Sequence, residues 1–309
     1  MRMKRTDRKK PKRLWLKVPL IIILLLALGG GSYAFFVYNN AKQTVNDKMH
    51  EPVESIDDEV VKGKTKAQEP LNILLLGIDA RSSESGRSDA LMILSLNPKN
   101  DSMQLISIPR DTRTQIVGKG FEDKINHAYA FGGTGMSIAS VENFLDIELD
   151  YYVRMNMDGL EELVNELGTI TVNNEIAWND GKYDFDLGPV EMDGDKTMHF
   201  VRMRKQDPNG DFGRTTRQRQ VVEGIVKRGA SIGSITKIDS MIDILGNNMA
   251  TSMDFDDMKK LLSGYKDTRK NFISYQMTGK GTTIDGIYYL VVPEEEIEKV
   301  NGMIGEMNL

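Results

Sequence analysis

The sequence contains no cysteine. Disulfide scaffolds, thiolate nucleophiles and cysteine-ligated zinc or iron-sulfur centres are therefore excluded. Histidine is nearly as scarce, with three in 309 residues, which speaks against a histidine-rich metal site. There is no internal repeat, and no low-complexity tract outside the tails. The length suits one large domain plus an anchor, so a sizeable core can be buried. Charge is unevenly spread: the chain carries 40 basic and 45 acidic residues, a net charge of -5, yet its first seventeen residues hold nine Lys or Arg against one Asp. The remainder then carries -13. Such a body repels phosphate backbones, and a seventeen-residue head without a helix-turn-helix pattern cannot read bases, so no nucleic-acid partner is expected.

Residues 18–38 read VPLIIILLLALGGGSYAFFVY, twenty-one positions without a charge. At helical rise this covers a bilayer core of roughly 30 Å. A cleaved signal peptide has a shorter apolar run, about 7 to 15 residues, followed by a small-residue cleavage site. Here Tyr33, Phe35, Phe36 and Tyr38 follow instead, with Trp15 at the near end, in the manner of interfacial aromatic belts. The basic head obeys the positive-inside rule. The expectation is a cytoplasmic segment over 1–17 and a single-pass type II anchor over 18–38 in the cell membrane. Everything after Asn39 then lies outside the cytoplasm.

Residues 39–69 are polar, charged and nearly free of large apolar side chains, which predicts a linker ahead of a folded domain over 70–309. From Leu71 the texture changes. LNILLLGID, ALMILSLN and SMQLISIP read as three buried strands. Helical spacing marks residues 136–146, then come a strand DYYVRMN and a helix GLEELVNEL closed by Gly168. Further helices are expected near 217–227, 235–248 and 254–265, with a strand pair NFISYQM and GIYYLVVP and a terminal helix from Pro293. Fully apolar strands mixed with helices predict an α/β fold, a sheet covered by helices on both faces.

Three polar clusters sit at strand-to-loop positions. In GIDARSSESGRSDALMIL, Gly77 and Asp79 end one strand, and Arg87 and Asp89 begin the next. If the two strands form a hairpin, Asp79 and Asp89 reach the same end of the sheet. Two carboxylates with an arginine between them suit Mg²⁺ shared with a phosphate, while a solvated polar loop is the bland alternative. In SIPRDTRTQI, Arg110 and Asp111 emerge past Ile108 and Pro109, where ligands sit on open α/β sheets. The densest cluster, FVRMRKQDPNGDFGRTTRQRQVV, places six basic residues in eighteen positions. Arg202 and Arg204 share one side if that segment is extended, Pro208 and Gly210 turn the chain, and Arg214, Arg217 and Gln218 fall within one helical turn of each other. Crowded guanidiniums repel unless anions neutralise them, and planar forks favour phosphate or pyrophosphate. A salt-bridge network with Asp207, Asp211 and Glu223 is the alternative. GGTG at Gly132–Gly135 lacks the Gly-Lys-Ser/Thr of a phosphate loop and reads as a helix start after Thr134. His127 reads as a structural polar residue below the site rather than a catalytic base.

With its basic head, one membrane helix, GID, the R-S-D triplet, PRDT, DKINHAYAFGG and RMRKQDPNGDFGRTTRQRQ, the sequence resembles the LytR-CpsA-Psr family of Gram-positive cell walls. The resemblance runs from about Leu71 to the C-terminus and is strongest to the branch that attaches wall teichoic acid. It implies a mixed central sheet between helices. It also implies an extracytoplasmic phosphotransferase that moves a glycopolymer from undecaprenyl pyrophosphate to the 6-hydroxyl of peptidoglycan N-acetylmuramic acid, leaving undecaprenyl phosphate and a phosphodiester. By the same resemblance Asp79 and Asp89 hold Mg²⁺. Arg87, Arg110, Arg202, Arg204, Arg214 and Arg217 bind the pyrophosphate with Gln218 beside them, and Arg87, Asp89, Arg110 and Arg202 form the implied catalytic set. A lipid-linked donor needs an apolar slot, for which the helices at 136–146 and 160–167 offer faces. Asp89 or Asp111 is the candidate base for the acceptor hydroxyl. The rival reading is a membrane-tethered polyprenyl-phosphate-binding or regulatory protein, such as a transcription attenuator, without turnover.

Overall fold

A computed structural model describes residues 31–78, 86–229 and 235–309. Helix α1 (31–44) closes in a wider turn, Val45–Met49, and helix α2 (Asp58–Ala67) leads into strand β1 (Leu71–Ile78). Strands β2 (Ser88–Asn97) and β3 (Ser102–Ile108) and the small hairpin β4 (Arg113–Ile116) and β5 (Phe121–Lys124) precede helix α3 (His127–Leu145). Strand β6 (Tyr151–Asn156) and helix α4 (Met157–Leu167) follow, then the short strands β7 (Ile170–Asn174), β8 (Trp178–Asn179), β9 (Asp184–Phe185) and β10 (Gly188–Met192). Helices α5 (Gly194–Arg202), α6 (Asp211–Gly229) and α7 (Ile235–Asn248), strand β11 (Met249–Thr251) and helix α8 (Phe255–Gly264) come next. Strands β12 (Asn271–Gln276), β13 (Lys280–Ile284) and β14 (Ile287–Val291) and helix α9 (Glu294–Met307) end the chain.

The three apolar runs after Leu71 form an antiparallel meander, β1 to β3, at the middle of a six-stranded sheet ordered β11-β6-β1-β2-β3-β12. Strands β1 and β6 run parallel, as do β3 and β12, so the sheet is mixed. Successive side chains of a strand point to opposite faces. On β2, Leu91 and Ile93 join Ile138 and Val141 of α3 and Val300 and Ile304 of α9 in one core. The alternate residues Ala90 and Met92 line a cavity under α4 and α6. A second core gathers Leu163 and Val164 of α4, Phe200 and Val201 of α5 and Val221 of α6 over β7 and β10. Each such buried aliphatic or aromatic side chain contributes roughly 1.5–3 kcal/mol.

The structure corrects several expectations. Residues 39–69 are not a linker. Val37, Ala41, Val45 and Met49 are buried at every fourth position, His50 bridges Thr251 on the sheet edge, and Glu51 meets Arg154 through both carboxylate oxygens at 3.0 and 3.1 Å. Asp57 caps α2 by accepting from the backbone of Glu59 and Val60. NFISYQM and GIYYLVVP are both strands but do not pair: β12 lies against β3, and β14 against β13. Helix α3 begins nine residues earlier than its apolar spacing indicated, with a break at Gly132 and Gly133, where Gly133 takes φ 64° before the helix resumes at Thr134. The basic head and most of the expected span 18–38 lie outside the described residues. Among the described residues no helix is long and apolar enough to cross a membrane.

Candidate functional site

Two antiparallel registers fix the centre of the site. Gly77 pairs with Ala90, and the β1/β2 register breaks before Ile78 meets Ser88, a bulge that re-aims the strand end. Leu91 pairs with Ile108, the last pair of that ladder, and Asp89 and Arg110 each lie two residues beyond it. Their side chains meet, Arg110 Nη1 donating to Asp89 Oδ1. Helix α6 brings its first residue to the same guanidinium: Asp211 Oδ2 lies 3.5 Å from Arg110 Nε, and Asp111 Oδ2 lies 3.9 Å from it. Asp211 Oδ1 is also 2.5 Å from Arg214 Nη2 and 3.8 Å from Arg204 Nε. Lys124 from β5 holds Asp111 at 2.7 Å. Four cations and three carboxylates thus converge from β2, the β3 exit, β5 and both flanks of the α5–α6 turn.

Near balance of charge is not balance of donors. The Arg214 side chain is only 13% exposed, yet its Nε and Nη2 have no hydrogen-bond partner among the described residues, because the contact with Asp211 misses hydrogen-bond geometry. Arg110 Nε and Asp211 Oδ1 are likewise buried and unpartnered. Burial pushes the Arg214 guanidinium below its usual pKa; Asp211 offsets this in part, and the neighbouring Arg110 lowers it further. Arg110 is desolvated too, but Asp211 and Asp89 outweigh that and hold it above its usual value. An unmet buried donor costs about 1–3 kcal/mol, and phosphate oxygens are suited to meet a guanidinium fork.

Beside this cluster opens an apolar cavity of about 210 Å³ between the sheet and helices α4 and α6. Leu75 and Gly77 of β1, Met92 of β2, Leu160 and Leu163 of α4 and Val222 of α6 line it. Two of its lining residues neighbour the charged groups along the chain: Ala90 follows Asp89, and Gln218 lies one turn past Arg214, its Oε1 without a partner among the described residues. Gly77 keeps this end close-packed, since a Cβ there would sit 3.0 Å from that of Ala90. Of the two helices expected to flank a lipid slot, 160–167 lines this apolar cavity with Leu160 and Leu163. The other, 136–146, packs Ile138, Val141 and Leu145 into the core with α9 instead.

Of the residues singled out from sequence, Asp89, Arg110, Arg204 and Arg214 come together, and Gln218 stands beside them. Asp79 lies outside the described residues. Arg87 is exposed at the β2 entrance, and Arg202 is exposed at the end of α5, a helix where an extended segment was expected. Arg217 is corrected: its guanidinium is buried and bonded to Asp207 and to the carbonyls of Phe200 and Met203, so it does not face the cluster with Arg214. Arg219 is also engaged, with Ser107, Ser274 and Gln276. His127 Nδ1 lies 2.7 Å from Asp123 Oδ2. Sequence reasoning gave no role to Lys124 and treated Asp211 only as a counter-ion. The signal for Asp211 was its place, an acid at a helix start between arginines.

The donor chemistry around Asp89 suits a hard cation, because Mg²⁺ takes one or two carboxylates and completes its shell with phosphate oxygens and water. Among the described residues no group of three His, Asp or Glu side chains could hold a metal unaided. A metal beside Asp89 would therefore draw on a ligand's own oxygens.

A mixed α/β sheet that gathers guanidiniums and acids at its strand ends, next to an apolar cavity, defines a protein shaped for an amphiphilic anion. The chain belongs to the LytR_cpsA_psr family, whose sequence model matches residues 33–304. It is 41% identical over 302 residues, 98% of both chains, to the polyisoprenyl-teichoic acid--peptidoglycan teichoic acid transferase TagU of Bacillus licheniformis. It is 46% identical over 275 residues to the TagU of Halalkalibacterium halodurans, covering 87% of this chain and 90% of the relative. The crystal structure of TagU from B. subtilis superposes with a TM-score of 0.65 at 40% identity, covering 78% of this chain and 97% of that one. A structure of TagT bound to LIIa-WTA superposes with a TM-score of 0.68 at 28% identity, over 85% and 96% of the two chains.

Proposed function

We propose that this chain is an extracytoplasmic phosphotransferase that moves wall teichoic acid from a polyprenyl pyrophosphate onto peptidoglycan. One observation carries the reading: Arg110 and Arg214 keep buried guanidinium donors without a partner among the described residues, and an apolar cavity is lined by Ala90, the neighbour of Asp89, and by Gln218, one helical turn past Arg214. That pairing suits a pyrophosphate with a hydrocarbon tail, at roughly 0.8 kcal/mol per buried CH₂ of that tail. The names of the relatives point the same way.

In the reaction, the 6-hydroxyl oxygen of N-acetylmuramic acid attacks the phosphorus that bears the glycopolymer. The phosphoanhydride bond breaks, polyprenyl phosphate leaves with the bonding electron pair, and the hydroxyl proton passes to a cluster carboxylate, Asp89 or Asp111. Phosphoryl transfer asks the protein mainly for positioning and charge neutralisation. Arg110 and Arg214 supply donors to the phosphate oxygens, Arg204, Arg202 and Arg87 add charge at the exposed rim, and Asp211 keeps Arg110 and Arg214 from repelling each other. Gln218 offers its amide where the pyrophosphate meets the tail. Asp79 and Asp89 would hold Mg²⁺, which when bound further neutralises the phosphates. The anchor, expected over 18–38, would keep this body, to which residues 39–69 belong, at the outer membrane surface where lipid donor and wall both lie. The exposed Tyr33, Phe35, Phe36 and Tyr38 support that placement.

The test uses the full-length chain in detergent with a polyprenyl-pyrophosphate-linked teichoic acid precursor, peptidoglycan oligomers and Mg²⁺. Covalent transfer that EDTA slows is the expected result. Tight lipid binding without transfer overturns the reading in favour of a binding or regulatory protein.

A further inference from the structure

We propose that Asp207 and Arg217 form a positioning lock that sets the spacing of the anion-binding arginines, and that Arg217 does not itself touch the pyrophosphate; the inference rests on the phosphotransfer reading above. Arg217 lies three residues past Arg214 on α6, but the two guanidiniums are held differently. Arg214 keeps unpartnered donors, whereas Arg217 donates from Nε to the Phe200 carbonyl at 3.1 Å, from Nη2 to the Met203 carbonyl at 2.5 Å and from Nη1 to Asp207 Oδ2 at 2.5 Å. Its side chain is 5% exposed, and that of Asp207 is 0% exposed. Those two carbonyls belong to the end of α5, where a helix leaves acceptors without partners and a cation is welcome. Asp207 in turn organises the turn: its Oδ1 accepts from Asn209 N at 2.7 Å and its carbonyl from Gly210 N at 3.0 Å.

One guanidinium therefore ties the end of α5, which carries Arg202 and leads to Arg204, to the start of α6, which carries Asp211 and Arg214. Three bonds in a planar fork require arginine, because a lysine ammonium is a point charge on a flexible stem. Gly213 completes the device. A Cβ there would lie 1.7 Å from Asp207 Oδ2, so only glycine lets the carboxylate seat against α6.

The test measures kcat and KM for the lipid-linked donor, and Kd for a short prenyl pyrophosphate, in full-length Asp207→Asn, Arg217→Lys, the double variant and Gly213→Ala, each below its own unfolding midpoint. A misplacement of about 1 Å costs roughly a hundredfold in rate, so each single variant should lose about that much in kcat. The double variant should be no slower than the worse single one, because both remove the same device. Gly213→Ala should show the same fall although it removes no charge and favours helix, and it decides the matter if Asp207→Asn fails to fold. Wild-type kcat in Asp207→Asn together with weakened prenyl pyrophosphate binding in Arg217→Lys would make Arg217 a ligand and end the proposal. Arg214→Ala separates the two ideas. Unchanged prenyl pyrophosphate binding there sinks the phosphotransfer reading and the lock's purpose with it, whereas weakened binding there with wild-type kcat in Gly213→Ala overturns the lock alone.

Discussion

The two ends of β1 both carry buried charge, and they treat it in opposite ways. At the Asn72 end, Asp150 accepts from Lys64 Nζ at 2.8 Å and from the Asn72 backbone at 2.7 Å. The Asn72 side chain accepts from Ser95 at 2.8 Å and donates to the Glu148 carbonyl at 3.3 Å. None of these side-chain atoms is buried without a partner. At the Gly77 end, Arg110, Asp211 and Arg214 keep buried polar atoms that nothing among the described residues satisfies. The cleft at the Asn72 end, about 420 Å³, is larger than the apolar cavity of about 210 Å³ at the other. Size therefore does not mark the site. Unmet hydrogen-bonding capacity does, because a group that costs free energy in the folded chain needs another reason to be there.

The strongest way to break that comparison is to truncate one side chain at each end. Arg214→Ala should lower transfer a hundred- to a thousandfold, the range of about 3–4 kcal/mol for a lost transition-state donor, while the melting temperature holds or rises because a desolvated cation has gone. Initial rates and thermal unfolding on the same preparation check this, and a large fall in melting temperature would make Arg214 structural. Asp150→Ala should do the reverse. Leaving Lys64 without its buried partner costs about 3 kcal/mol of stability, read by urea unfolding, with KM for the donor unchanged while the protein stays folded. If Asp150→Ala instead raised KM, the Asn72 end would belong to the site.

The contrast also shows what a sequence can carry. The strands β1, β2 and β3 were legible because fully apolar runs bounded by polar loops leave little choice, and Asp89 and Arg110 were legible because both flank those strands. The pairing of β12 with β3 was not, since a parallel contact between segments some 170 residues apart leaves no local mark. The buried stripe Val37, Ala41, Val45 and Met49 was present in the sequence, but the polar composition around it outweighed a four-residue spacing. Within RTTRQRQ, Arg214, Arg217 and Arg219 look alike. Only the folded turn decides that Asp207 reaches one of them, Ser107, Ser274 and Gln276 another, and neither set reaches Arg214. Asp79 lies outside the described residues.

The smallest expected effect is a difference of sign with pH. At the Asn72 end, burial pushes the Asp150 carboxyl up, and the bonds from Lys64 and Asn72 offset this only in part, so its pKa lies above the usual carboxylate range. The folded chain then binds that proton more readily than the unfolded one, and stability is gained as pH falls from above the folded value to below the unfolded one. Near the site, burial also acts to raise Asp123, but the bonds from His127, the Lys124 backbone and Tyr289 outweigh it and hold the carboxyl below the usual range. Its contribution is full above the unfolded value and is lost as pH falls through the lower, folded one. Unfolding midpoints of the wild type against Asp150→Asn and against Asp123→Asn, followed from pH 7 into the acid, should therefore diverge in opposite directions. The advantage of the wild type over Asp150→Asn should grow on acidification, and its advantage over Asp123→Asn should shrink. If the first difference shrank as well, pairing with Lys64 would outweigh burial at Asp150, and the Asn72 end would be a net ionic clamp in place of a charge merely tolerated there.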